Sequence, residues 1–154
     1  MNFESIQETT ELTLVMAFAD PTKFVKICEG KSSRDIFNLM SAYFELAGDI
    51  IEKAGGKIVK FMGDAVFVVF PSDNPSIAVN SLHELKSKAE TFFSKQGVES
   101  VLQVKVHIGS ITCGLIGTKK LKYFDVMGQE VNKTAMLQGG DFVISKELQE
   151  QIQS

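Results

Sequence analysis

The chain has 154 residues, 44% hydrophobic and 23% charged, the proportions of a single globular domain with one packed core, residues 1–154. A net charge of −3 argues against nucleic acid as the main partner, because phosphate-backbone binding needs clustered basic charge and only Lys119, Lys120 and Lys122 approach a cluster. No apolar run is long enough to cross a bilayer and Met1-Asn2-Phe3-Glu4-Ser5 lacks the segments of a secretion signal, so a cytoplasmic protein with no membrane partner is expected.

The first predicted element is a strand, Leu12 to Phe18, whose apolar and β-branched residues run into Ala19-Asp20-Pro21 and leave Asp20 at the strand tip. From Ser33 to Ala54 apolar residues recur at three and four residue intervals, which is one face of a helix; Ser32 with Asp35 caps its start and Gly55-Gly56 stops it. Lys57 to Met62 and Ala65 to Phe70 then read as a hairpin turning at Gly63-Asp64. After the breaker Pro71-Ser72-Asp73-Asn74-Pro75 a second helix is expected from about Ser76 to Lys95.

Val101 to Ile108 and Ile111 to Ile116 are predicted as a strand and a return strand, Tyr123 to Met127 as a short strand and Gln129 to Leu137 as a helix. A strand at Phe142 to Ile144 and a helix at Lys146 to Ile152 complete the list. This order suggests an α+β sandwich of ferredoxin-like, palm type, with a mostly antiparallel sheet and helices on one face. Cys28 and Cys113 have neither CxxC spacing nor a nearby histidine and read as reduced thiols.

Two carboxylates sit where tight turns expose them, Asp20 before Pro21 and Asp64 in Phe61-Met62-Gly63-Asp64-Ala65. If the first strand lies beside the hairpin they converge, and hard oxygen ligands of this kind bind magnesium with help from phosphates. Taken singly, an aspartate at a turn supplies only turn hydrogen bonds.

The combination carries more. Phe18 to Phe24, Gly55 to Ala65, Val104-Lys105-Val106-His107-Ile108-Gly109, Gly114-Leu115-Ile116-Gly117 and Phe124 to Asn132 resemble, in order and spacing, the motif series of class III adenylate and guanylate cyclase catalytic domains. The resemblance covers roughly residues 12 to 150. It implies that Asp20 and Asp64 bind two Mg2+ or Mn2+ ions per site, and that the turn Pro21, Thr22, Lys23 and Phe24 cradles the triphosphate. Pro21 departs from the usual branched apolar residue and offers no N–H, but keeps its carbonyl. Lys60 and Asp125 match the pair that reads the adenine edge, which favours ATP over GTP, and Asn132 matches the residue that orients the ribose. His107 falls at a common family position and reads as structural.

Two departures bear on turnover. One helical turn after Asn132 the resemblance implies an arginine, and Met136 stands there. Lys133 is rotated about 100° away from Asn132, and Arg34, the one arginine among sixteen basic residues, is remote in sequence. The resemblance also implies a further hairpin with a triphosphate-binding lysine, which is not matched before Ser154. The expectation is therefore an adenylate cyclase-like domain, ATP to 3′,5′-cyclic AMP, acting as a homodimer or with a partner cyclase domain, its activity weak or lost. The alternative is a silent nucleotide-binding or regulatory domain that dimerises with a partner.

Overall fold

Strand β1, Thr10–Pro21, runs through the middle of the molecule in a computed structural model that describes residues 1–153. Short helix α1, Phe24–Cys28, follows it, and helix α2, Ser33–Lys53, leads to the hairpin of β2, Lys57–Met62, and β3, Ala65–Pro71. Helix α3, Pro75–Ser94, precedes the long strand β4, Leu102–Gly117. Then come β5, Lys122–Met127, α4, Gln129–Ala135, β6, Phe142–Ile144, and α5, Lys146–Gln153. The sheet order is β2-β3-β1-β4-β5, every pair antiparallel, with β6 added parallel to β4.

Period-two alternation sorts β1 between two cores. Val15, Ala17 and Ala19 face α2 and α3, where Tyr43, Ala47, Ile51, Leu82, Leu85 and Phe93 bury against them. Leu14 and Met16 face the opposite side with Phe67, Val69, Ile111, Cys113 and Val126, and Phe18 packs there too. Phe3 and Val131 of α4 also pack on this second cluster, so the short α4 lies on the face that α2 and α3 leave open.

The expected caps form: the Ser32 hydroxyl accepts from the Asp35 N–H at 3.1 Å, and after α2 the N–H of Gly56 returns to the Ile51 carbonyl at 2.9 Å. Gly63 takes φ +66° in the hairpin, a value that favours glycine and leaves Asp64 on the turn.

Two differences from the sequence reading bear on the site. β1 extends through Pro21 because its last residues still pair with Gln103 and Leu102. The return expected at Gly109-Ser110 is absent: β4 continues straight because β1 pairs with it without interruption from Pro21↔Leu102 to Thr10↔Cys113. The chain reverses only at Thr118 to Leu121, where the Thr118 N–H meets the Leu121 carbonyl at 2.8 Å. No helix among the described residues is long and apolar enough to cross a membrane.

Candidate active site

β1 pairs with β3, and this neighbour relation brings the end of β1 to the β2–β3 turn. Asp20 and Asp64 therefore meet, close enough for the charge of one to act on the other. Partial burial pushes the Asp20 carboxyl above the usual aspartate range, and the Asp64 charge and hydrogen bond push it further. Lys105, on β4 in register with Phe18, is the cation that opposes this. Its Nζ also donates to the Ala135 carbonyl of α4 at 2.8 Å.

Sequence reasoning missed Lys105. Its neighbourhood depends on the pairing of β1 with a strand about 85 residues away, and only the alternation of Lys105 with buried Val104 and Val106 hinted that it faces away from α2 and α3.

The pair Asp20 and Asp64 fits a divalent cation. It is acceptor-only when ionised, and its two like charges lack a full counter-charge; burial first, and then the Asp64 charge, raise the Asp20 pKa. Among the described residues no group of three or more His, Cys, Asp or Glu could hold a metal alone, so the remaining ligands would be carbonyl, water or phosphate oxygens. Tyr43 lies nearby on α2, fully buried, its hydroxyl without a hydrogen-bond partner among the described residues; burial first, then the nearby Asp64 and Asp20 charges, push its pKa up.

Pro21 to Phe24 follow Asp20 directly. The Thr22 N–H is engaged with the Val101 carbonyl at 2.9 Å, its hydroxyl accepts from the Val101 N–H at 2.9 Å, and its carbonyl accepts from Ser100 Oγ at 2.6 Å. Lys23 takes φ +60° at the N-cap of α1, leaving the N–H groups of Lys23 and Phe24 without a partner among the described residues.

A second cluster forms because the sheet curls until its outer strands touch. Lys60 of β2 reaches Asp125 of β5, Nζ to Oδ2 3.2 Å, and the Phe124 ring meets both Phe3, at 6.1 Å between centroids, and Lys57 Nζ, at 5.4 Å. The other Asp125 oxygen accepts from the Val126 N–H at 2.8 Å, which fixes the carboxylate plane. Ile58 packs on one core and Val59 on the other, and the register of β2 on β3 shifts between Ile58 and Lys60.

Asn132 lies exposed on α4 and is bonded to neither cluster: the structure pairs Asp20 with Asp64 and Lys60 with Asp125, and gives Asn132 no side-chain hydrogen bond among the described residues. Met136 caps the end of α4 and is 76% exposed. Lys133 turns instead to Glu147 of α5, Nζ to Oε1 3.1 Å.

An antiparallel sheet of palm type, two helices over one face and a carboxylate pair at the end of its central strand define the class of the domain. A family model described as the adenylate and guanylate cyclase catalytic domain matches residues 5–142. The chain belongs to that family. Adenylate cyclase 1 of Rhizobium meliloti (strain 1021) is 26% identical over 131 residues, 79% of this chain and 20% of that protein. The adenylate cyclase of Anabaena cylindrica is 22% identical over 134 residues, 82% of this chain and 27% of that one. The chain thus spans well under a third of these curated relatives. Among solved structures, the adenylyl cyclase CyaB from P. aeruginosa superposes with a TM-score of 0.81 at 25% identity, covering 95% of this chain and 83% of that one.

Proposed function

We propose that the domain converts ATP to 3′,5′-cyclic AMP by two-metal-ion phosphoryl transfer at a homodimer interface, with turnover weak or lost because Met136 replaces a charge-neutralising arginine. The observation that carries this reading is the convergence of Asp20 and Asp64 at the end of β1, with their charges only partly offset by Lys105. In the reaction the ribose 3′-oxygen bonds to the α-phosphorus, the bond to the β-phosphate breaks, the hydroxyl proton is released and pyrophosphate leaves.

Asp20 and Asp64 would hold two Mg2+ or Mn2+ ions, which when bound activate the 3′-hydroxyl and neutralise the triphosphate. The free N–H groups of Lys23 and Phe24 approach the phosphates, while the engaged Thr22 N–H holds the turn in shape. Lys60 donates to a ring nitrogen and Asp125 accepts from the exocyclic amine, a complement to adenine. Asn132 orients the ribose.

The homodimer reading is supported by two observations. The metal pair and the base pair form separate clusters within one chain, and exposed apolar side chains gather at the β4–β5 end, Leu115, Ile116, Leu121, Tyr123 and Met127, and at Phe61 and Met62 of the hairpin. Purified protein given Mn2+ and ATP is expected to yield cyclic AMP at a rate that rises with protein concentration and vanishes in Asp64→Ala. Lack of product from both the wild type and Met136→Arg at every concentration sinks the enzyme reading.

The exposed thioether of Met136 favours a second reading, a silent domain that binds nucleotide and completes a partner's site. Co-expression with a cyclase lacking its own metal aspartates separates the two, since restored synthesis by a chain inactive alone identifies the complementing partner.

A further inference from the structure

His107 is fully buried on β4, and both of its ring nitrogens meet oxygen. Nε2 contacts the Glu130 carboxylate of α4, and Nδ1 lies 2.7 Å from Ser145 Oγ, at the junction of β6 and α5. The Glu130 carboxylate, when ionised, only accepts, so Nε2 carries the proton. Ser145 Oγ already accepts from the Leu148 N–H at 3.2 Å, as the cap of α5, and its own hydrogen is free to go to Nδ1. In this arrangement the bonds run in one direction, from the first turn of α5 through Ser145 and His107 to Glu130.

The seat for Glu130 is built into the strand. Gly109 lies on the same face of β4 two residues beyond His107, and a Cβ there would sit 2.7 Å from Glu130 Cγ and 2.9 Å from its Cβ. The bare backbone at Gly109 lets the Glu130 side chain lie across β4 and reach the ring. Glu130 is two residues before Asn132, and the same helix is tied again by Lys105 to Ala135 at its C-terminus and by Lys133 to Glu147. Glu147 also approaches Nδ1, at 3.4 Å, farther than Ser145.

We propose that His107 is a positioning residue: through Glu130 it fixes the seat of α4 on the sheet, and through Ser145 it couples that seat to α5. The consequence for catalysis rests on the reading of Asn132 given above; the seating itself does not. A helix of seven residues cannot hold its own place by backbone bonds, so these side-chain ties set where Asn132 points.

Amide exchange of residues 129–135 and imidazole 15N shifts test this on the whole chain. The wild-type ring is expected as the Nε2–H tautomer at neutral pH, a readout that needs no variant. Glu130→Ala is expected to speed α4 exchange about tenfold while α2 and α3 keep their rates, and Glu130→Gln, which retains an acceptor, to restore most of the protection. In turnover assays Glu130→Ala is expected to lower kcat more than it raises KM for ATP. Absence of cyclic nucleotide from both the wild type and Met136→Arg defeats the functional reading and leaves the exchange result to decide this one. An Nδ1–H ring, unchanged α4 exchange in folded Glu130→Ala, or acceleration spread evenly over the fold overturns the proposal.

Discussion

Partly burying the Asp20 carboxylate at the end of β1, and holding it against Asp64 of the β2–β3 turn, opposes folding, and the raised Asp20 pKa reflects both. A carboxyl whose folded pKa lies above its unfolded value contributes stability that is full below the unfolded pKa and lost as pH rises through the folded one. Asp20→Asn is therefore expected to melt higher than the metal-free wild type at pH 7, a gain limited by the exposure of Asp20 and fading below about pH 4. Thermal melts across pH check this, and added Mn2+ should stabilise the wild type alone. Met136→Arg places a guanidinium on an exposed position, so stability should move by no more than about 0.5 kcal/mol. On the proposed chemistry its kcat should rise on the order of 10²-fold, measured as cyclic AMP formed under saturating Mn2+ and ATP. At this scale the meeting of Asp20 and Asp64 was legible from their turns, whereas Lys60 and Asp125 stood out only through the resemblance, since each alone reads as a surface side chain. Lys105 and Glu130 were not legible, since their partners come from strands and helices far along the chain.

The elements with local signals, α2 with its Ser32 cap, the β2–β3 hairpin and α3 behind Asn74-Pro75, formed where periodicity placed them. β4 did not break at Gly109-Ser110, because uninterrupted pairing with β1 outweighs the turn preference of those two residues, and Gly109 has a packing reason instead. The short helix α1 escaped notice, as five residues are too few to show a period. Gly56 marks the join between α2 and β2 by a similar packing demand: a Cβ would lie 2.6 Å from the buried Phe70 ring and 2.8 Å from Ile51 Cγ2. Gly56→Ala is expected to cost about 1–3 kcal/mol, seen as a lower denaturation midpoint with an unchanged m-value.

For the whole molecule, the separation of the metal pair from the base pair makes a mixing experiment decisive. Asp64→Ala and Asn132→Ala chains, each inactive alone, should recover about one quarter of wild-type rate when mixed equally, because half of the dimers are mixed and each of these keeps one intact site of two. No recovery would place all the chemistry within a single chain. The curl of the sheet has its own consequence for selectivity. Lys60 and Asp125 already satisfy each other at 3.2 Å, so on the proposed reading an entering base would have to part an ammonium from a carboxylate. A ring that offers both an acceptor and a donor repays each group at once, whereas one that offers only the first strands a half-buried anion. Discrimination would then come less from the attraction of the right base than from the internal tie that a wrong one cannot replace.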